Sequence, residues 1–468
     1  MKSTLLLWLK TIGLLLASFI LLVMFINSDL FDEELNPDAA ALLQPTQLEF
    51  SRDNGYFLLM GFDAAADKDP IDAGIGLVKQ LGQNLINTGR HDLSESNYDQ
   101  WLGDKAERLV GYGARNIFIP SCSSPRDPSC IPDTIKALKA ADFKIEQDDS
   151  MVLRYKLIKS LPHYQELNHG RYETPLPSYG LLTSTSRFFL FDSYINQSSE
   201  QFISDIEADI ILWKKILRES TYLITKMVAT ARLRENFHLL IAASSSLSED
   251  NLSKLNLSLT QLTPDELQID EAFAFEFMLA TRSFQANNAS LLDVTSTDDI
   301  KEHLLLTLVS TTIQPNAITN WYYREILQRL PLIAKAEASE LNNITSQLSL
   351  ELKSAVAPTN SITTLYNPMG KTLQDEGTLY AYRDYIARVH DLNNLIVMSR
   401  LALEIRLNDD SSMMDIVQQS KNKNLLNDKP FEFDIQKQTL SYECLDQGYS
   451  DPRYISRNKT PRQCAIKL

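Results

Sequence analysis

The side chains that could carry catalysis or hold a metal do not form an established motif. A zinc peptidase needs two histidines four residues apart on a helix, and no two of the six histidines have that spacing: His91, His163, His169, His238, His303 and His390. No G-x-S-x-G elbow occurs in the chain. Gly370-Lys371-Thr372 ends like a phosphate-binding loop, but Leu365 stands where the first glycine belongs. These patterns predict no catalytic residue, no metal ligand and no cofactor.

Two weaker patterns favour ordinary surface roles. S-x-x-K occurs at Ser420–Lys423 and at Ser456–Lys459, in polar segments where a chance match is expected. Four aspartates crowd one segment and could offer oxygen ligands to a hard cation: Asp63, Asp67, Asp69 and Asp72. Their spacing lacks the D-x-D-x-D-G arrangement of a calcium loop, which favours a solvated acidic turn.

Two further segments combine side chains that could act together. The helical stretch YRDYIARVHDL contains Arg383, Asp384, Arg388, His390 and Asp391. The residues at 384 and 388 can pair across one helical turn, and His390 could act as a base only beside a nucleophile. The run NWYYREI at 320–326 could line a ligand groove, but core packing is the commoner use of such aromatic residues. We expect structural roles for both.

Four cysteines form two pairs that are local in sequence. Cys122 and Cys130 flank a loop rich in proline and serine, and Cys444 and Cys464 lie near the C-terminus. An even count in local pairs predicts two disulfides formed in an oxidising compartment. The alternatives are reduced buried cysteines or a metal site, although neither pair has the C-x2-C spacing of a local metal clamp.

Length and composition narrow the class of protein. The chain has 468 residues, of which 44% are apolar, so it can bury a large core. Its net charge of −15 disfavours a nucleic acid partner, because binding to phosphates needs positive charge. Only 15 glycines are present, which favours helices over glycine-rich nucleotide loops.

An apolar run near the N-terminus predicts the location. Residues 11–28 are uncharged and would span about 27 Å as a helix, close to the thickness of the hydrocarbon core. Lys2 and Lys10 precede the run and several acidic residues follow it, which predicts a cytoplasmic N-terminus. A cleaved signal peptide is the alternative, but the expected cleavage site has Ile26 where a small residue is needed. We therefore expect a single-pass anchor in a bacterial inner membrane, with the rest of the chain in the periplasm.

Hydrophobic periodicity predicts a mainly α-helical fold with a small β-hairpin near the C-terminus. Predicted helices cover 71–87, 98–111, the stretch after Pro132, 199–243, the segment after the N-cap Thr263, 299–308, 318–330, 333–356 and 379–407. Alternating Phe273, Phe275 and Phe277 could form a strand, but helix is favoured. Residues 431–435 and 440–444 alternate around a polar turn and predict the hairpin.

Proline-rich breaks and composition predict five regions. They are an anchor (1–28), a linker (29–50), an N-terminal helical subdomain with the first disulfide (51–160), the main helical body (161–425) and a hairpin with a disulfide-closed tail (426–468).

Two short sequence patterns lie in the first and last parts of the soluble region. The first comprises Asn54-Gly55-Tyr56, Gly61-Phe62-Asp63, Asp69-Pro70 and Gly74. The second comprises Asn367-Pro368-Met369-Gly370-Lys371, Arg383, Asp391-Leu392, Asp428-Lys429-Pro430-Phe431 and Phe433-Asp434. Together they resemble a pattern in uncharacterised single-anchor envelope proteins of Gram-negative bacteria. The resemblance implies one N-terminal anchor before a large soluble part, and it implies no activity.

Three functions are compatible with these features. The first is a non-enzymatic envelope protein that binds a protein partner, which the tether and the missing catalytic motifs favour. The second is an anchored hydrolase whose site is assembled from residues distant in sequence. The third is a module that binds a lipid or a small apolar ligand in a groove between helices.

Overall fold

The computed structural model describes most of the chain as helix, in agreement with the predicted fold class. An apolar helix lies at the N-terminus and a three-stranded antiparallel sheet lies near the C-terminus. The structure describes residues 2–44, 49–88, 94–110, 119–120, 122, 127–167, 174–290, 312–355, 365–372, 378–408, 412–447 and 461–468.

The first helix, α1 (Lys2–Ile26), stands apart from the body. Its segment Trp8–Ile26 has 19 residues, a mean hydropathy of 2.4 and no residue buried against the protein. Among the described residues it is the one helix long and apolar enough to cross a membrane. A 3-10 turn at Asp29–Phe31 and a short helix, α2 (Pro37–Leu42), connect α1 to the body.

The next part is built from short helices: α3 (Gly55–Met60), α4 (Pro70–Thr88), α5 (Glu95–Leu102), α6 (Cys130–Ala140) and α7 (Ser150–Ser160). Helices α3 and α4 touch through glycines, since a Cβ built on Gly74 would lie 1.8 Å from the carbonyl oxygen of Phe57. The prediction that a helix extends from 98 to 111 is wrong. Helix α5 ends at Gly103, whose φ of 86° lies in the left-handed region and cannot continue a helix.

Four helices form the centre of the protein: α8 (Tyr179–Asn196), α9 (Ser199–Glu219), α10 (Leu223–Ser244) and α11 (Glu249–Ser258). Helix α10 is buried on nearly all sides, and its polar and apolar side chains do not form separate stripes. A capping box at Thr263, as predicted, starts the short helix α12 (Pro264–Leu267). The alternating phenylalanines lie in α13 (Asp270–Ser290), so helix is confirmed there over strand.

A second group of helices lies around the start of α10: α14 (Pro315–Tyr322), a π turn at Tyr323–Leu327, α15 (Leu330–Ala334), α16 (Leu341–Ala355) and α17 (Pro368–Thr372). The predicted continuous helix over 333–356 is wrong. Residues 335–340 form turns that bury Ala336, so local packing overrides a sequence with good helix propensity. The predicted helix at 299–308 lies outside the described residues.

One long helix, α18 (Thr378–Leu407), runs through the whole body and is followed by α19 (Met413–Gln419). Its first part supplies Leu379, Ile386 and Ala387 to a hydrophobic cluster with α13 to α16. The remainder, from Val389 onward, belongs to a larger cluster that contains side chains from Tyr56 to Ile466. The three regions predicted after the linker therefore all contribute to one core.

The sheet contains the predicted hairpin and one further strand. Strand β1 (Glu432–Asp434) pairs with β2 (Thr439–Glu443), and β2 pairs with β3 (Gln463–Lys467), all antiparallel. In the pairing of β2 with β3, Tyr442 lies opposite Cys464. The tail that the sequence predicts to be closed by a disulfide is thus also paired as a strand.

Candidate functional site

Helix α10 carries buried charged side chains into the core. Lys226, Arg232, Glu235 and His238 are each less than a tenth exposed. Buried charges are costly unless they are paired or hydrogen-bonded. Their partners therefore show whether α10 supports chemistry or packing.

The first network centres on Asp209, which is 0% exposed. Its carboxylate accepts hydrogen bonds from Ser186 Oγ at 3.1 Å, from Asn236 Nδ2 at 2.7 Å and from the Tyr155 hydroxyl. Burial raises the pKa of Tyr155, and the negative charge of Asp209 raises it further, so the phenol stays protonated. Ser186 is hydrogen-bonded to a carboxylate, as a nucleophilic serine can be. However, this carboxylate lies inside the core and accepts hydrogen bonds from three donors, of which Ser186 is one. The arrangement joins α7, α8, α9 and α10.

A neighbouring ion-pair group connects this network to the first disulfide. Arg187 and Arg232 both pair with Glu235, Arg187 at 3.1 Å. The main-chain N–H of Cys122 donates to Glu235 Oε1 at 2.6 Å. Cys122 is joined to Cys130 with Cα atoms 5.6 Å apart, consistent with the predicted pair.

The second network surrounds Glu166, whose carboxylate accepts hydrogen bonds from phenols, a threonine hydroxyl and main-chain N–H groups. The phenols of Tyr164 and Tyr179 lie 3.2 and 3.1 Å from Oε1, and the main-chain N–H of Tyr222 lies 2.6 Å from Oε2. The Thr225 hydroxyl and a second main-chain N–H complete the set. Burial raises the pKa of Glu166, and these hydrogen bonds oppose the rise. The network fixes the start of α10 against the segment before 168.

The third network joins α18 to the sheet. Both oxygens of Asp391 accept main-chain N–H groups, from Leu445 and Asp446, each at 2.9 Å. Burial raises the pKa of Asp391 to about 6. The Asp391 carboxylate lies within 4.8 Å of the sulfur atoms of Cys444 and Cys464, a set that could hold a metal. The two sulfurs are joined in a disulfide with Cα atoms 5.3 Å apart, so neither is a thiolate that could bind one.

The other residues of the YRDYIARVHDL helix also have packing roles. Arg388 Nε pairs with Asp446 at 3.0 Å, and Arg383 contacts Asn342 in the core. Burial lowers the pKa of His390, so the imidazole is neutral near pH 7. In the aromatic run at 320–326, the hydroxyl of Tyr322 lies 2.6 Å from the hydroxyl of Tyr382 in α18.

The clustered aspartates serve separate local purposes. Asp69 Oδ1 accepts the N–H groups of Ile71 and Asp72 at 2.9 Å, which caps α4. Asp69 and Asp72 also pair with the exposed Arg52. Asp63 lies deeper, and burial raises its pKa. In the S-x-x-K match at Ser420, the hydroxyl donates to a glutamate of α18 at 2.6 Å. The second match, and His91, His169 and His303, lie outside the described residues.

A half-open cleft of about 640 Å³ lies where α6, α10, α11, α18 and α19 meet the end of the sheet. Apolar side chains such as Ile135, Leu252 and Ile405 line it, together with the cations Arg406 and Lys467. Within the described part of the chain, Arg406 Nε is buried without a hydrogen-bond partner. Burial lowers the pKa of Arg406. Glu249 also lines the cleft, so its walls carry side chains of both charges.

The junction between α1 and the body contains a set of side-chain hydrogen bonds. Asn27, the residue after the apolar span, is 3% exposed. Its Nδ2 donates to the carbonyl oxygen of Leu365 at 2.7 Å, and its Oδ1 accepts the N–H of Asn367 at 2.6 Å. The side-chain amide of Asn27 thus acts as both donor and acceptor to the main chain of residues 365–367.

The acidic residues after α1 continue these contacts. The two oxygens of Asp32 accept the N–H groups of Asn316 and Ala317 at 2.9 and 3.0 Å, which caps α14. Asn320 donates to Glu33 Oε2 at 3.0 Å and accepts the N–H of Asn36 at 2.8 Å. The first part of the predicted linker is therefore fixed to the body.

Comparisons with known proteins give no assignment for these sites. No protein-family model matches the chain, and neither the curated proteins nor the solved structures contain a match. The function must be inferred from the arrangement of residues alone.

Sequence reasoning missed the residues that organise these networks. Asp209 looks like an ordinary helix-surface acid and Glu166 like a polar residue of a proline-rich break, and only their placement inside the core distinguishes them. Asn27 had a detectable signal, because an asparagine directly follows the last apolar residue of the span.

Proposed function

We propose that this protein is a single-pass protein of the bacterial inner membrane whose helical body lies in the periplasm and binds a protein partner of the envelope. The observation that carries the proposed anchor is Asn27. It belongs to the end of the exposed apolar helix and is also buried in the hydrogen bonds of the body. A cleaved leader would share no such contacts with the mature fold, which favours a retained anchor.

Charge and cysteine chemistry support the proposed orientation. Lys2 and Lys10 precede the span, and acidic residues follow it, as expected for a cytoplasmic N-terminus. The two disulfides suit an oxidising compartment. Resemblance to single-anchor envelope proteins of Gram-negative bacteria supports the same location.

The chemistry of the buried groups favours binding over catalysis. Asp209, Glu166 and Asp391 each accept several hydrogen bonds that hold helices or strands together. A general base must have an acceptor position free for a substrate proton. These carboxylates are better explained as structural groups.

Topology and retention test the proposal together. A reporter that is active only outside the cytoplasm should be active after Leu468 and inactive after Lys10. The protein should stay with membranes after an alkaline wash. Crosslinking in cells should then give a reproducible adduct with a partner protein. A variant in which a foreign apolar helix replaces α1 should form the same adduct, because the body binds the partner. A soluble product that begins near residue 29 would refute the anchor.

A second candidate function is the binding of an anionic amphiphile in the cleft of about 640 Å³. This volume lies in the range of small-molecule pockets. The cleft combines apolar side chains with Glu249 and with Arg406, whose Nε has no hydrogen-bond partner among the described residues. A fluorescent fatty acid should bind the parent protein. Arg406→Gln should weaken binding, whereas Arg324→Gln, on an exposed ion pair, should not. Equal binding by both variants would remove this candidate.

A further inference from the structure

The last residue of the apolar span and the body are too close to be separated by a flexible spacer. Trp8–Ile26 forms the span, and Asn27 follows it directly. With a rise of about 1.5 Å per residue, Asn27 lies about 1.5 Å beyond the span. Its two hydrogen bonds to 365–367 measure 2.7 and 2.6 Å. Residues 365–367 therefore lie within about 6 Å of the end of the span.

That distance is comparable to the thickness of the headgroup layer. The polar part of a bilayer adds about 5 to 7 Å on each side of the hydrocarbon. If α1 spans the membrane, the segment 365–367 must lie in this layer. No free length of chain remains that could hold the body further away.

The side chains around this point suit a lipid interface. Leu30 and Phe31 are 85% and 46% exposed directly after the span. The Tyr366 hydroxyl donates to the carbonyl oxygen of Phe31 at 3.0 Å, and Lys371 Nζ lies 5.7 Å from the centre of the Tyr366 ring. Aromatic rings and snorkelling cations concentrate at headgroup depth. We call Leu30, Phe31, Tyr366 and Lys371 the collar.

We propose that the collar is a lipid-binding surface that sits in the headgroup layer and holds the body in one fixed orientation on the bilayer. Leu30 and Phe31 enter the interface, and the Lys371 ammonium meets lipid phosphate. This inference rests on the proposed anchor and adds to it a defined membrane-facing side. Asn27 and Asp32 are the positioning residues, because they connect α1 to α14 and to 365–367.

Spin labelling of the full chain in phospholipid nanodiscs tests the proposal. All four native cysteines are in disulfides, so a single added cysteine can be labelled. Leu30→Cys and Lys371→Cys probe the collar. Leu257→Cys and Leu350→Cys, at positions 84% and 70% exposed elsewhere on the body, are matched controls. We expect the collar labels to lose collisions with a water-soluble nickel chelate and to gain collisions with oxygen, relative to the controls.

The positioning residues give an independent arm. Asn27→Ala and Asp32→Ala should be added together to each single-cysteine protein. They should restore chelate collisions for the label at 371, while the label at 30 keeps its depth. Adding Asp29→Ala instead should change neither label. A Lys371 label as chelate-accessible as the controls, in protein retained by membranes, would overturn the inference and leave the anchor standing. Release of the protein by an alkaline wash would instead overturn the anchor.

Discussion

Two buried groups should titrate over the same pH range with opposite effects on stability. Burial raises the pKa of Asp391 from 3.8 to about 6, although the main-chain N–H groups of Asp446 and Leu445 and the charge of Arg234 oppose the rise. Burial lowers the pKa of His238 from 6.5 to about 4, and the charge of Arg234 lowers it further. Both side chains are less than a tenth exposed, so solvent screens them little.

The signs follow from which protonation state the folded protein prefers. The contribution of Asp391 to the free energy of unfolding is complete below pH 3.8 and is lost as the pH rises to about 6. The contribution of His238 is complete above pH 6.5 and is lost as the pH falls to about 4. At about 1.4 kcal/mol per pH unit, each change amounts to about 3 kcal/mol. In the parent protein the two changes nearly cancel between pH 4 and 7.

Single variants should remove the cancellation. Asp391→Asn should lose about 3 kcal/mol relative to the parent when the pH falls from 7 to 4, because of the two groups only His238 then titrates. His238→Gln should gain about the same amount relative to the parent over that range, because of the two groups only Asp391 then titrates. Urea unfolding of the full chain in mild detergent, followed by tryptophan fluorescence at several pH values, measures both differences. Variant curves that run parallel to the parent curve would refute the opposed titrations.

Three further changes test the packing and the cross-links. Gly74→Ala places a Cβ against the main chain of α3 and should cost about 1 to 3 kcal/mol in a thermal melt, whereas Gly180→Ala, with no atom within 4 Å, should be neutral or mildly stabilising. Leu395→Ala, at a position 2% exposed in α18, should cost about 2 to 5 kcal/mol, whereas a similar loss from Leu350→Ala, at a position 70% exposed, would contradict the assigned core. Peptide mapping without reductant should recover the two local disulfides, and free thiols at all four cysteines in protein from the native compartment would contradict the pairing.

Local sequence patterns were sufficient wherever a segment's structure depends on its own periodicity or cap. The apolar run predicted α1, and the dense leucines of 379–407 predicted α18 to within one residue at its start. The capping box at Thr263 was also correct. Each of these signals lies within a few residues along the chain, where hydrophobic period and capping chemistry act directly.

Patterns failed where distant residues decide the structure. Asp32 caps a helix whose first residues lie 284 positions later, so its segment looked like a free acidic spacer. Strand β3 pairs with β2, although the two disulfide cysteines at this point lie 20 positions apart in the sequence. The sequence of β3 carried no alternation long enough to identify the strand. Residues 335–340 have good helix formers, but the burial of Ala336 favours turns. In each case, the contacts that determine the local structure are made with residues that are distant in the sequence.

The length of α18 has a consequence for how the body loses its structure. The helix has 30 residues, about 45 Å at about 1.5 Å per residue, and contributes to both hydrophobic clusters. If either cluster opened by itself, it would leave part of α18 without the packing that provides most helical stability in water. The two clusters meet along α18 at Arg388. The amides on both sides of Arg388 should therefore exchange with solvent at one common rate, and the body should behave as a single cooperative unit.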